Sequence, residues 1–121
     1  MTKRRVPEVT ICQVAVDEAG RLLVQPALPP GTDFMHVYRA AMGVYWEPET
    51  RSLLAPRPRE WTYFDWFRQI LAAVADEYGQ RLMLRPETKW MNVPPHLRTR
   101  IETWAGQAED ALAEPHEEGD R

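Results

Sequence analysis

The pattern of apolar positions is clearest in residues 61–79, where it predicts one long amphipathic helix. Thr62 can cap the helix N-terminus, with Asp65 three residues on as its capping-box partner, and Gly79 suits the left-handed residue that ends a helix. An apolar arc of about 160° favours a helix lying across an open sheet over a coiled-coil seam. This arc is expected to hold Tyr63, Phe64, Trp66, Phe67, Ile70, Leu71, Val74, Glu77 and Tyr78.

The first hairpin is predicted before this helix. Residues 9–16 are mostly apolar and β-branched, which is typical of a strand partly covered on both faces. Asp17 and Gly20 occupy the first and fourth positions of a type I turn closed by a glycine bulge. Residues 21–25 should therefore return antiparallel.

A second hairpin is expected after the rigid, proline-rich residues 26–32. The even positions from 34 to 46 are apolar apart from His36, which predicts a long strand with one buried face and a bend at Gly43. A competing interpretation makes residues 37–42 a helical turn ended by Gly43. Pro48 suits a tight turn, after which residues 51–55 run back.

Two elements are predicted beyond the long helix: a fifth strand at residues 80–85 and a second helix opening at Pro94 and Pro95. The order β-β-β-β-α-β-α indicates an α+β domain. We expect a mainly antiparallel sheet of about five strands, covered by the one long amphipathic helix.

The chain of 121 residues is long enough for a single core. Its net charge of −3 is unevenly distributed, because residues 108–121 carry six acidic groups and one arginine, a net charge of −5. Residues 1–107 therefore carry +2. We interpret residues 1–107 as one α+β domain and residues 108–121 as a solvated, disordered acidic tail.

The sequence also indicates the compartment. Cys12 is the single cysteine, so no intramolecular disulfide can form, which favours a reducing compartment. No signal peptide follows the basic start of the chain, and no apolar run approaches the ~18 residues of a membrane span. We expect a cytoplasmic protein without a membrane partner.

Catalytic signatures are missing from the sequence. It contains no phosphate loop, nucleophile elbow, paired zinc histidines or calcium loop, and it indicates no metal and no cofactor. The remaining enzymatic hypothesis is a scattered site in which His36 acts with Glu47 or Asp65. A hydrogen-bonded histidine near the sheet edge is the simpler interpretation, so enzymatic activity is uncertain and disfavoured.

Aromatic residues at the ends of predicted elements suggest binding instead. Trp46, Trp61 and Trp90 lie at such ends, and Tyr45 should point to the sheet face opposite Trp46. Any one of them can simply fill a corner of the core. As a set they favour an aromatic cleft for a small ligand or a partner surface.

Arginines offer a possible complement to this cleft. Arg39, Arg57 and Arg59 could together hold an anionic group, although solvated surface charges are the simpler interpretation. A charge of +2 on the body supports at most weak nucleic-acid binding, the third hypothesis. A bare sheet face or edge would also allow a homodimer.

Several short segments resemble small proteins carried on integron gene cassettes, the mobile elements that bacteria capture and exchange. They are residues 37–41 (VYRAA), 43–46 (GVYW), 58–61 (PREW), 65–67 (DWF) and 77–79 (EYG). The similarity covers roughly residues 8–105. That family carries no established activity, so the resemblance implies a bacterial accessory protein and assigns no functional residue. Our leading hypothesis is an accessory binding or interaction module.

Overall fold

The computed structural model describes residues 7–113, with side chains as far as residue 107. Its elements are six strands, two α-helices and one short 3-10 helix, Val37–Arg39. The strands are β1 (Glu8–Val16), β2 (Leu22–Pro26), β3 (Tyr45–Glu47), β4 (Ser52–Ala55), β5 (Arg81–Met83) and β6 (Lys89–Met91), and the helices are α1 (Tyr63–Tyr78) and α2 (Pro95–Ala113). The α+β class is confirmed.

The sheet has the strand order β3-β4-β2-β1, and β5 and β6 both pair with the far edge of β1. The pairings among β1, β2, β3 and β4 are antiparallel, whereas β5 and β6 run parallel to β1. The sheet is therefore mixed and mostly antiparallel, as predicted. The sixth strand was not predicted.

A single buried threonine joins β5 to β6 along this edge. The Thr88 hydroxyl donates to the Ile11 carbonyl at 2.6 Å and accepts from the Arg85 amide at 2.9 Å. The β1–β2 register shifts between Ile11 and Gln13, so β1 is irregular beside this bond. Residues 8–10 of β1 pair with β5, and residues 13–15 pair with β6.

The ends of α1 match the prediction. Thr62 Oγ1 accepts from the Asp65 amide at 3.1 Å, and the Asp65 carboxylate accepts from the Thr62 amide at 3.0 Å, which completes a capping box. Gly79 ends the helix in the left-handed conformation, with φ 66°. The buried side chains of α1 are Phe64, Phe67, Ile70, Ala73 and Val74.

The second helix also contributes to the core. Leu97 and Ile101 are buried, and the Trp104 ring meets Phe64 and Phe67 edge-to-face at 6.1 Å. The backbone of α2 continues to Ala113, beyond the residue-107 boundary predicted for the folded body. Residues 114–121 of the predicted tail lie outside the described residues.

The long strand predicted over residues 34–46 is wrong, and the competing helical turn is closer to the structure. The chain forms the 3-10 helix and then turns through Gly43, at φ 93°, so that only β3 is extended. The buried side chains here are Phe34, Val37, Ala41 and Val44. Their spacing of three or four residues is helical, whereas the even positions Tyr38 and Met42 are exposed.

Candidate functional site

Trp61 is the most exposed tryptophan whose side chain lines a surface hollow. It lies just before the Thr62 cap, keeps 45% of its surface exposed, and packs its ring against Trp66 at 4.8 Å between centroids. Trp61 lines two surface hollows. The first, the Trp61 hollow, is lined by Pro56, Arg57, Arg59, Glu60, Trp61 and Trp66. The second, the Arg68 hollow, is lined by Trp61, Asp65, Arg68, Gln69 and Ala72.

Local structure holds Trp61 in place. Pro56 and Pro58 restrict the backbone of the connection between β4 and Trp61. The capping box fixes the start of α1 directly after Trp61. The Trp66 ring packs closely on the backbone of Gly43, since a Cβ added to Gly43 would lie 2.8 Å from Trp66 Cη2. The exposed ring therefore rests on a packed support.

The Trp61 hollow, of about 520 Å³, is basic. Arg57 and Arg59 contribute two positive charges, and Glu60 contributes one negative charge. Neither guanidinium has a carboxylate within 4.0 Å among the described side chains. The Arg57 stem packs on Gly20, where an added Cβ would lie 3.0 Å from its Cγ and Cδ. The hollow thus combines an aromatic wall with unpaired cations.

The Arg68 hollow, of about 380 Å³, has its charges neutralised. Arg68 pairs with the Asp65 carboxylate at 3.0 Å. The Thr62 backbone amide and then Arg68 donate hydrogen bonds that lower the pKa of Asp65 below its ordinary 3.8. This side of Trp61 therefore offers no uncompensated charge.

The structure does not bring the three predicted tryptophans together. Trp46 and Trp90 lie in strands at opposite edges of the sheet, at the two ends of one cross-strand row. The row reads Trp90, Val14, Val24, Leu53, Trp46. Four strand spacings of about 4.8 Å place its ends about 19 Å apart. A single cleft formed by all three tryptophans is therefore not present.

Each of these two tryptophans has its own packing role. Trp46 is 8% exposed and meets Phe34 edge-to-face at 5.8 Å, so it belongs to the core. Trp90 is half-buried, and the Arg98 guanidinium lies over its ring at 5.0 Å. Neither lines the Trp61 hollow.

Tyr45 lies on the sheet face opposite Trp46, as predicted from strand alternation. Its hydroxyl accepts from Arg21 at 2.9 Å, and Arg21 also pairs with Asp17 at 2.8 Å. Burial opposes ionisation of Asp17, but hydrogen bonds from the Arg21 backbone and side chain outweigh it and lower the pKa of Asp17. Tyr45 thus belongs to a polar cluster at the first hairpin.

The three predicted arginines are divided between two places. Arg57 and Arg59 line the Trp61 hollow. Arg39 lies in the 3-10 helix, not on a strand as expected, and pairs with Glu77 at 3.5 Å. Glu77 lies roughly 16 Å along α1 from Trp66, so Arg39 is remote from the other two.

His36, Glu47 and Asp65, the residues of the enzymatic hypothesis, share no hydrogen bond or ion pair among the described side chains. His36 is exposed beside the 3-10 helix, and the strand placement predicted for it is wrong. Its imidazole has no carboxylate within 4.0 Å among the described side chains. Glu47 accepts from the Glu49 amide at 3.2 Å, and Asp65 serves the capping box.

Sequence reasoning did not assign Trp66, Pro56 or Glu60 to the site. The helical pattern places Trp66 in the buried arc, whereas in the structure its ring is half-exposed and packs against Trp61. The available signal was the run of prolines and arginines directly before a tryptophan and a helix cap, residues 56–62. That run predicts a rigid, charged approach to the aromatic ring.

Metal-binding clusters and membrane-spanning helices are both absent from the described part of the chain. Among the side chains described, residues 7–107, no group of three or more His, Cys, Asp or Glu residues is placed to hold a metal ion. Neither α1 nor α2, over the residues described, is long and apolar enough to cross a membrane.

Comparison with known proteins identifies the family. The family described as Integron Cassette Protein Hfx_Cass5 matches residues 9–88. A solved structure of the integron cassette protein Hfx_Cass5, from the mobile metagenome of the North West Arm sewage outfall, is 40% identical over 88% of this chain and 99% of that chain, with a TM-score of 0.38. No curated protein matches the chain. The resemblance predicted from residues is confirmed, and the chain belongs to the Hfx_Cass5 family of integron cassette proteins.

Proposed function

We propose that this integron cassette protein is an accessory binding module and that the Trp61 hollow is its binding surface. The observation that carries the proposal is the exposed Trp61 ring, which rests on Trp66 beside two arginines without ion-pair partners among the described side chains. Tryptophan and arginine are, with tyrosine, the residue types enriched at the hot spots of protein interfaces. The volume of about 520 Å³ lies within the range of small-molecule sites.

The proposal is tested by a thermal-shift screen of the purified protein against a metabolite and cofactor library. A ligand present at ~100 times its Kd and specific for the native state should stabilise the fold by about 2.7 kcal/mol. Trp61→Ala should remove these shifts while unfolding remains cooperative, because Trp61 lies outside the buried core cluster. If Trp61→Ala retains every shift, the Trp61 hollow is not the binding surface.

Tyr38→Ala provides a matched control for this variant. Tyr38 is also an exposed aromatic, but it lies in the 3-10 helix and does not line the Trp61 hollow. Its removal should leave ligand shifts unchanged. A loss of the same shifts in both variants would point to a nonspecific surface effect and would count against the proposal.

A homodimer is a second candidate, favoured by one exposed segment. Met35, Tyr38 and Met42 are all more than half exposed, and Met42 reaches 93%. Methionine and tyrosine are enriched in interface cores, and exposed apolar groups of this kind mark association sites. Light scattering should show a mass above 14.1 kDa that falls on Met42→Glu substitution. A wild-type monomer at high concentration would contradict self-association.

A further inference from the structure

The charge balance of the Trp61 hollow restricts what it can bind. Six arginines of the described chain pair with Asp or Glu side chains. Arg51 instead donates to backbone carbonyls, and Arg100 lies over the Phe64 ring. Arg57 and Arg59 have no carboxylate within 4.0 Å among the described side chains. Glu60 offsets only one of their two charges. The surplus positive charge attracts an anionic group, and the planar donors of arginine suit a carboxylate or a phosphate.

The packing of Arg57 prepares it for this contact. Its Cγ and Cδ lie against Gly20 in the first hairpin turn, while the residue as a whole remains exposed. The aliphatic stem is therefore held by the protein and the charged end stays in solvent. Holding the stem lowers the entropy lost when the guanidinium binds an anion.

The aromatic wall restricts the rest of the ligand. The Trp61 ring packs against Trp66, and the residue as a whole keeps 45% of its surface exposed. A rigid, exposed indole favours a flat ring that can stack on it. The Arg68 hollow shares Trp61 but pairs its own charges, so an anionic substituent should select the side of Arg57 and Arg59.

We propose that the Trp61 hollow binds a planar ring carrying an anionic group, with the ring stacked on Trp61 and the anion paired with Arg57 and Arg59. The inference rests on the proposed function and names its ligand class. Two sources share this chemistry: a nucleoside phosphate and an aromatic carboxylate.

Calorimetric titration with four probes tests the ligand class. Adenosine 5′-monophosphate and indole-3-acetate each combine a ring with an anion, adenosine lacks the anion, and inorganic phosphate lacks the ring. At least one combined probe should bind at least about tenfold more tightly than adenosine or phosphate, since each of these loses one of the two contacts. The tighter of the two combined probes identifies the source. If neither combined probe binds, or if adenosine or phosphate binds as tightly as the better combined probe, the inference is overturned.

Arg59→Gln and Arg68→Gln form a matched pair on the two sides of Trp61. Arg59→Gln should raise the Kd of the combined probe about tenfold or more, the loss expected for one charge-assisted hydrogen bond. Arg68→Gln should change the Kd of the combined probe by less than about twofold relative to wild type, because Arg68 already pairs with Asp65. Equal effects of the two variants would overturn the assignment of the anion to the Trp61 hollow.

The two proposals fail in different ways. If Trp61→Ala abolishes binding of a screened ligand but Arg59→Gln does not weaken it, the Trp61 hollow is a binding surface and the anionic ligand class is wrong. If Trp61→Ala leaves all binding intact, the proposed function itself fails.

Discussion

At the scale of single residues, glycines with positive φ show how backbone conformation and packing add together. Gly31 and Gly43 have similar φ values, 85° and 93°, in the region that side chains rarely adopt. Their surroundings differ, because an added Cβ meets nothing within 4 Å at Gly31 but would lie 2.8 Å from Trp66 at Gly43. The pair therefore separates backbone strain from steric overlap.

Gly31→Ala should lower the free energy of unfolding by about 1 kcal/mol, the cost of backbone strain alone. Gly43→Ala should lower it by about 2–4 kcal/mol, since displacement of Trp66 adds an overpacking cost. Urea unfolding of the two variants measures the difference. Equal losses would show that Trp66 moves aside without cost, and would weaken the view that Gly43 supports the aromatic wall.

At the scale of elements, the edge of the sheet depends on a side chain that lies between strands. Thr88 bonds to Ile11 in β1 and to Arg85, which follows β5, and it directly precedes β6. Its hydroxyl thus satisfies one buried acceptor and one donor at the point where β1 is irregular. Two short parallel strands can occupy one strand edge because this group joins them.

Thr88→Val keeps the shape of the side chain but leaves the Ile11 carbonyl and Arg85 amide without this partner. We expect a loss of about 2–4 kcal/mol in the free energy of unfolding, from the desolvation cost of these groups. Thr88→Ser, which keeps the hydroxyl, should lose less. Amide hydrogen exchange should show the extra opening in β5 and β6, and protection equal to wild type there would contradict the bridging role.

The N-terminus of α1 should also respond to pH through Asp65. Hydrogen bonds from the Thr62 amide and from Arg68 hold the pKa of Asp65 below 3.8 in the folded protein. A depressed pKa in the folded state means that this carboxylate stabilises the fold above the unfolded value of 3.8, and that the stabilisation is lost as the pH falls through the folded pKa.

Asp65→Asn should therefore be less stable than wild type at neutral pH, with a difference that is constant above about pH 5 and shrinks below pH 3.8. Urea unfolding at several pH values measures this difference. Thr62→Ala, which removes the other half of the capping box, should cost about 1 kcal/mol at neutral pH. A pH-independent difference for Asp65→Asn would contradict the role of the charge.

At the scale of the whole molecule, the core extends beyond the part of the chain that defines the family. The family match covers residues 9–88, whereas α2 begins at Pro95. Leu97 and Ile101 are nevertheless buried in the core cluster, and Trp104 packs on α1. The sheet and α1 therefore need α2 to complete their apolar contacts.

A fragment of residues 1–94 should lose cooperative unfolding, because it exposes Phe67 and removes Ile101 from the core. Near-ultraviolet circular dichroism and a thermal melt measure the loss. As a control in the full chain, Ile101→Ala should lower the free energy of unfolding by about 2–5 kcal/mol and keep a cooperative transition. A fragment that melts like the full chain would show that α2 is dispensable.

Local signals determined much of the architecture. The turn predicted at Asp17 to Gly20 is present: the Gly20 amide donates to the Asp17 carbonyl at 2.9 Å, and Gly20 has a positive φ of 84°. The capping box and the Gly79 end of α1 also appear as predicted. These features depend on residues within a few positions of one another, so the sequence carries their physical cause directly.

Only the tertiary structure decided the remaining features, because each depends on contacts between distant residues. The apolar residues of segment 34–46 fit both the two-residue spacing of a strand and the spacing of a helix. Burial of Val37, Ala41 and Val44 in the core decides for the helical turn. β6 has only three residues and exists because β1 offers it an edge. Strand order likewise places Trp46 in the core, next to Phe34. The sequence determined the elements with local signals, and long-range contacts decided which aromatic rings became buried in the core.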